Sequence, residues 1–316
     1  MMFNPPTALA VLWPFGLLPF SVAVAIWFVL QFGITFAASF WLWQIYRGSQ
    51  KHKWLAVVLP GVSLPVYAAL VDCQMTPLIL LGIVTFLYLT EEQAFWFAGM
   101  ALGLLALKPQ LCLIFEFVLL LWCLREQKWK LLAGLAAATA ILLLPVWFRP
   151  VLISQYRAVI PRIWDDAAPA WGGLLRAIFG YQYVWLQYLP VIPGMAWAAF
   201  YWKRHRVQWD WKQRLPTLLL VSILTAPYAW TYDEVILLPV FISAAVYVLA
   251  QNASRLARLI FAFYILVNVV MFLMNLAGLR DEWYLWNLPV WLGAYTLLER
   301  RLASPTLDRR ASPIAP

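Results

Sequence analysis

The chain has 316 residues, of which 64% are hydrophobic and 12% charged, with 20 tryptophans and a formal net charge of +9. A soluble domain carries about 25% charged residues and about half apolar ones, so this composition excludes a water-soluble fold. Long charge-free apolar runs recur from end to end, which is the pattern of repeated membrane-spanning helices.

The fold expected is therefore all-α and polytopic. The positive charge does not point to nucleic acid, because the basic residues sit in short clusters between apolar runs, where they orient the chain and meet anionic lipid headgroups. Cys73, Cys112 and Cys123 show neither a disulfide framework nor a metal spacing. Both histidines, His52 and His205, fall in basic clusters. Neither a metal nor a cofactor is expected, and the chain lacks a phosphate-cradling glycine loop.

In chain order, "FNPPTALAVLWPFGLLP" reads as an extended or re-entrant start, because its prolines lack donors and restrict their neighbours. Apolar segments follow at 21–46, 54–71, 76–89, 94–107, 110–124, 129–148, 182–202, 215–229, 234–250, 258–276 and 284–298. This gives about 11 membrane helices. Residues 1–302 form one multi-pass domain with an outer loop at 149–181, and 303–316 form a short disordered cytoplasmic tail. The clusters around Arg47 to Lys53, "REQKWK", "KRHRVQWDWKQR", "QNASRLAR" and "ERRLASPTLDRR" then share one side, which the positive-inside rule makes cytoplasmic.

The other side receives "VDCQMTP", "LKPQ", the loop 149–181, "TAPYAWTYDE" and "GLRDEW". Several middle segments are short for a hydrocarbon layer of about 30 Å, so they either extend further or stop short and leave a hollow opening outward. Lys108, Pro109 and Gln110 interrupt an apolar run. Interfacial snorkelling explains such a lysine; an anion site at the outer boundary explains it equally well. Asp72 and Gln74 lie in a tight outer break. Asp233 and Glu234 suit either a helix cap or a binding site, and Tyr228, Trp230 and Tyr232 suit an interfacial belt or a stacking surface for a sugar. The loop 149–181 carries Arg149, Arg157, Arg162, Asp165, Asp166 and Arg176, with Trp164 and Trp171. Glu116, about two turns into its span, is the one deep acidic residue.

"FNPPTALAVLWPFGLLPFSVAVAIWFVL", "DCQMTPLILL", "GMALGLLALKPQLCLIF" and "LTAPYAWTYDEVILLP" occur in an order and at spacings that resemble glycosyltransferase family 87, within the GT-C superfamily. The resemblance covers about residues 3 to 250. It implies a membrane mannosyltransferase that moves a hexose from a polyprenyl-phosphate donor to a hydroxyl of a glycan or glycolipid acceptor, at the outer face of the cell membrane, with inversion. Membrane lipids are the surrounding partners. Lys108, Gln110, Gln74 and Tyr232 become candidates for donor phosphate and sugar contacts. The family's acidic base sits in a first outer loop ahead of the element that matches "NPP", where this chain starts. The expectations are an N-terminal helix and loop outside the chain, completion by another polypeptide, or a substitute base, with Asp72 and Asp233 as the candidates. The rival readings are a transporter or flippase of a lipid-linked sugar, with Glu116 lining a through-channel, and an inactive remnant of the family.

Overall fold

The computed structural model describes residues 5–163, 170–251 and 254–303, with the backbone alone for 159–163, 254, 302 and 303. Among the described residues every regular element is helical. Trp164, Asp165, Asp166 and the tail beyond Ala303 lie outside the described residues, as does the Arg162 side chain.

Among the described residues sixteen α-helices follow in chain order. They are α1 Leu9–Leu12, α2 Phe20–Ile45, α3 Leu55–Gly61, α4 Leu64–Val71, α5 Thr76–Glu91, α6 Phe95–Leu102, α7 Leu113–Arg125 and α8 Trp129–Leu142. Then come α9 Leu144–Phe148, α10 Val151–Ile163, α11 Trp171–Phe179, α12 Val191–His205, α13 Trp211–Leu224, α14 Leu238–Ala250, α15 Ser254–Leu276 and α16 Asn287–Ala303. Each of the eleven sequence segments contains one or two of these helices, and α1, α10 and α11 lie outside them.

The departures have local causes. From Pro6 onward the start is helical rather than extended: short turns at Pro6–Ala8 and Trp13–Leu17 flank α1, each with a proline in its first turn, where a missing N–H costs nothing. Segment 54–71 is broken between α3 and α4, which bend by 57°. Pro60 near the end of α3 and Pro65 at the start of α4 account for the break. Two side chains of α15 hold its ends: Asn268 Oδ1 accepts the Leu64 N–H at 2.9 Å, and the Tyr264 hydroxyl donates to the Leu59 carbonyl at 2.8 Å.

Among the described residues three helical stretches are long and apolar enough to cross a membrane, Phe20–Ile45, Thr231–Ala250 and Arg255–Leu276, with a fourth if the bent pair is one span. A count of eleven is not reached by this measure, because several apolar segments are cut into shorter pieces. Segment 94–107 is the clearest case. Its α-helix stops at Leu102, and two 3-10 turns, Gly103–Leu107 and Pro109–Leu111, carry the chain to α7. Close packing holds α6 in place: a Cβ on Gly99 would collide with the Leu131 carbonyl, and one on Gly134 with the Trp96 carbonyl, so α6 and α8 touch backbone to backbone.

The breaks sort to two ends of the bundle. At one end Thr7 donates to the Ala106 carbonyl at 2.8 Å, Trp27 Nε1 donates to Cys73 O at 2.9 Å, and Thr231 donates to Asp281 at 3.2 Å. The other end gathers the basic clusters, where Lys212 pairs with Glu91 and Arg125 donates to the Arg206 carbonyl.

Candidate functional site

Lys108 lies between the two 3-10 turns with φ −149° and ψ 70°, flanked by the fully buried Leu107 and Leu111. Non-helical backbone at membrane depth is tolerated where it is buried in protein or lines a water-filled space. The lysine itself is 5% exposed. This burial rules out the snorkelling geometry, in which the ammonium would reach water at the membrane surface.

Three groups receive the ammonium. Asp233 Oδ1 accepts at 2.7 Å, Gln74 Oε1 accepts at 3.0 Å, and the Tyr232 ring centroid lies 4.6 Å from Nζ. Asp233 has donors on both oxygens: the Thr76 hydroxyl also reaches Oδ1 at 2.7 Å, and the Trp230 backbone N–H reaches Oδ2 at 3.0 Å. Asp233 thereby closes the turn into the 3-10 stretch Thr231–Leu237 and also pairs Lys108.

Local backbone geometry aims these groups. After α4, Cys73 adopts φ 50°, and the Gln74 N–H bonds back to the Ala69 carbonyl at 2.8 Å. This is a Schellman-type helix end built without the usual glycine, and it reverses the chain so that Gln74 faces Lys108. α5 begins at Thr76 with Pro77 in its first turn, which fixes Thr76 under Asp233. Before Thr231, Trp230 is extended and stacks on Tyr232 at 6.2 Å between ring centroids.

The structure therefore brings together Lys108, Gln74, Tyr232 and Asp233. It adds Thr76, which the sequence reading passed over although it lies within "DCQMTP". Two predicted residues stand apart from this cluster. Gln110 is half-buried in the next turn and makes no side-chain hydrogen bond among the described residues. Asp72, at the end of α4, keeps a solvent-exposed face, and partial burial raises its carboxyl above the usual range. Asp281 faces the same region, and burial raises its carboxyl too, against the lowering effect of the Thr231 hydroxyl.

The 149–181 loop is largely helical and packs over this end. Tyr156 of α10 hydrogen-bonds to Tyr228, and burial raises the Tyr228 hydroxyl pKa. Gly172 of α11 sits where a Cβ would crowd the Gln187 and Pro227 carbonyls. Arg176 is buried and donates to the Tyr181 carbonyl at 2.8 Å and to Gln187 Oε1 at 3.3 Å. It braces the loop, whereas Arg149 and Arg157 are exposed. Glu116 is not two turns deep. It falls in the first turn of α7, because that helix starts only at Leu113.

Among the described residues no group of three or more metal-ligating side chains occurs. The chemistry available is thus a fixed cation beside carboxylates and aromatic faces. Residues 3–275 match glycosyltransferase family 87, and the chain belongs to that family of membrane glycosyltransferases. No curated protein and no solved structure matches the chain.

Proposed function

We propose that the protein transfers a hexose, mannose by family resemblance, from a polyprenyl-phosphate donor to a hydroxyl of a glycan or glycolipid at the outer face of the cell membrane. The observation that carries this reading is the buried Lys108 ammonium, oriented by Asp233, Gln74 and Tyr232. When the bond from the anomeric carbon to the phosphate oxygen breaks, the phosphate gains negative charge. A pre-oriented cation in a dry site stabilises that charge without reorganising. Asp233 serves as the positioning residue, since its oxygens already accept three donors and hold the ammonium in place.

The acceptor oxygen attacks the anomeric carbon from the face opposite the phosphate, and its proton goes to a carboxylate within hydrogen-bond reach. Of the two substitute bases, Asp72 fits better than Asp233. It is open to solvent, and its raised pKa makes it a stronger base than an ordinary aspartate. Gln74, Gln110 and Tyr232 supply amides and a ring face for the sugar. The gathering of the basic clusters at the other end supports an outer face for the end carrying Lys108.

The test is transfer from a labelled polyprenyl-phosphate mannose in membranes that contain the wild-type chain or Lys108→Ala. Loss of one charge-stabilising donor predicts a drop of about 10² to 10³ in rate. Wild-type rates in the variant, at equal protein level, overturn the assignment.

A further inference from the structure

The family match ends at residue 275, yet the chain beyond it reaches back to the stretch that carries Tyr232 and Asp233. Between α15 and α16 a short 3-10 turn, Asp281–Tyr284, leads to Asn287, the first residue of α16. Asp281 Oδ1 accepts the Thr231 hydroxyl at 3.2 Å. Asn287 Nδ2 donates to both carboxyl oxygens of Glu234, at 2.9 Å each. Thr231 and Glu234 stand on either side of Tyr232 and Asp233 in the 3-10 stretch Thr231–Leu237. The later segment thus grips that stretch on both sides of the two site residues.

Glu234 is 3% exposed and Asn287 fully buried. Among the described residues Asn287 is the one hydrogen-bond partner of the Glu234 side chain. A buried polar group left without a partner costs its full desolvation. Without Asn287, the Glu234 carboxyl would have to move its own backbone to reach another donor. A 3-10 helix has only three residues per turn, so Tyr232 and Asp233 would move with it. The other end of the amide shows that fold stability alone does not account for the pair. Asn287 Oδ1 is buried without a hydrogen-bond partner, which lowers stability. Departures of this kind are expected at functional sites.

We propose that Asn287 is a positioning residue of the Lys108 site: by holding Glu234 it fixes the adjoining Asp233 and Tyr232, and through them the Lys108 ammonium. That ammonium takes its orientation from Asp233 Oδ1 at 2.7 Å and from the Tyr232 ring at 4.6 Å, so a shift of the stretch reaches it directly. The effect on rate rests on the transferase reading above, whereas the effect on structure does not.

Asn287→Leu keeps the side-chain size and removes the donor. With labelled polyprenyl-phosphate mannose it is expected to lower kcat about 10²-fold, the scale of a misplacement of about 1 Å. The donor KM should change much less, because the phosphate charge develops in the transition state. Glu234→Gln still offers an oxygen to Asn287 Nδ2, and its own N–H can donate to Asn287 Oδ1, so it is expected to retain transfer. Glu234→Leu is expected to lose transfer as Asn287→Leu does. Equal losses in Glu234→Gln and Glu234→Leu would assign Glu234 a role through its charge and overturn the positioning role.

Amide exchange of the full chain in detergent, read by mass spectrometry, gives a measure independent of activity. Asn287→Leu is expected to speed exchange in the peptides covering 230–237 and 103–112, while α2 keeps its wild-type rates. Unchanged exchange in both peptides, or wild-type transfer by Asn287→Leu, overturns the proposal. Should Asn287→Leu not fold, Glu234→Leu carries the same two measurements, since it removes the group that needs a partner. A wild-type chain that transfers nothing, with both peptides responding to the substitution, would sink the transferase reading and leave the positioning role standing.

Discussion

The Lys108 ammonium and the Asp233 carboxylate meet at 2.7 Å although 125 positions separate them in the chain. Lys108 is 5% exposed and Asp233 1%. Desolvating two opposite charges is expensive, and their attraction offsets that cost only when the remaining donors and acceptors are also satisfied. Here Thr76 and the Trp230 N–H complete the aspartate, while Gln74 and Tyr232 complete the lysine. A network of this kind is worth more as a means of orienting a cation than as a source of stability.

Asp233→Asn is therefore expected to destabilise the protein by about 3 to 5 kcal/mol, the usual cost of leaving a buried charge alone. Tryptophan fluorescence during thermal unfolding in detergent reads this change. The double variant Lys108→Met with Asp233→Asn is expected to recover most of the lost stability but no activity. Equal instability of the single and double variants would mean that the aspartate supports the fold through Thr76 and Trp230 instead.

Lys108→Arg tests geometry rather than charge. The guanidinium is planar and wide, and the space between Gln74, Asp233 and the Tyr232 ring accommodates a compact ammonium. Transfer is expected to fall by at least about tenfold although the formal charge is kept. A rate equal to wild type in the labelled-donor assay would show that a positive charge anywhere in this region suffices.

Asp72 governs the expected pH dependence. Burial raises its carboxyl, and a general base works only when deprotonated. Activity should therefore be full at high pH and fall as pH drops through the raised pKa, so the acid limb lies above the ordinary aspartate range. Asp72→Asn should lower the plateau and abolish that limb. A limb that persists in Asp72→Asn, measured as kcat/KM across pH, transfers the role to another carboxylate, with Asp281 next in reach.

How much of this was legible in the sequence depends on the range over which each feature is encoded. Apolar segments were readable, because hydropathy is local, and α2, α5, α7 and α13 to α16 lie within a few residues of the segments read for them, whereas segment 182–202 opens with a 3-10 turn, Val184–Tyr188, before α12 begins at Val191. The break at Lys108 and Pro109 was readable as a polar interruption, but the 3-10 turns on either side of it, Gly103–Leu107 and Pro109–Leu111, were not, since "GLLAL" has the composition of a continuous helix. Lys108, Gln74 and Tyr232 stood out as polar interruptions in greasy surroundings. Thr76 did not, because a threonine at the start of a helix is ordinary, and its role exists only once Asp233 is folded above it. Gln110 stood out for the same reason as Lys108, but it lies in the following 3-10 turn and outside the hydrogen-bonded cluster.

Asn268 is another residue whose importance no local pattern reveals. It lies in α15, where an isolated amide among apolar residues suggests a helix contact or nothing at all. In the structure its Oδ1 accepts the Leu64 N–H, and its Nδ2 donates to the Tyr264 carbonyl at 3.0 Å. The Leu64 N–H is freed by the break between α3 and α4, at membrane depth where water does not replace the lost partner. Asn268→Leu keeps the side-chain volume and removes the acceptor, so it is expected to cost about 1 to 3 kcal/mol. Tyr264→Phe removes a donor whose acceptor carbonyl, Leu59, lies at the other side of the same break, and should cost about 1 kcal/mol. Because α4 leads directly into the Cys73–Gln74 turn, loosening the break should also move Gln74 away from Lys108. The distinguishing readout is transfer activity measured well below the unfolding temperature. Asn268→Leu should lower it while the protein stays folded, and a variant that loses stability but keeps full activity would confine Asn268 to holding the bend.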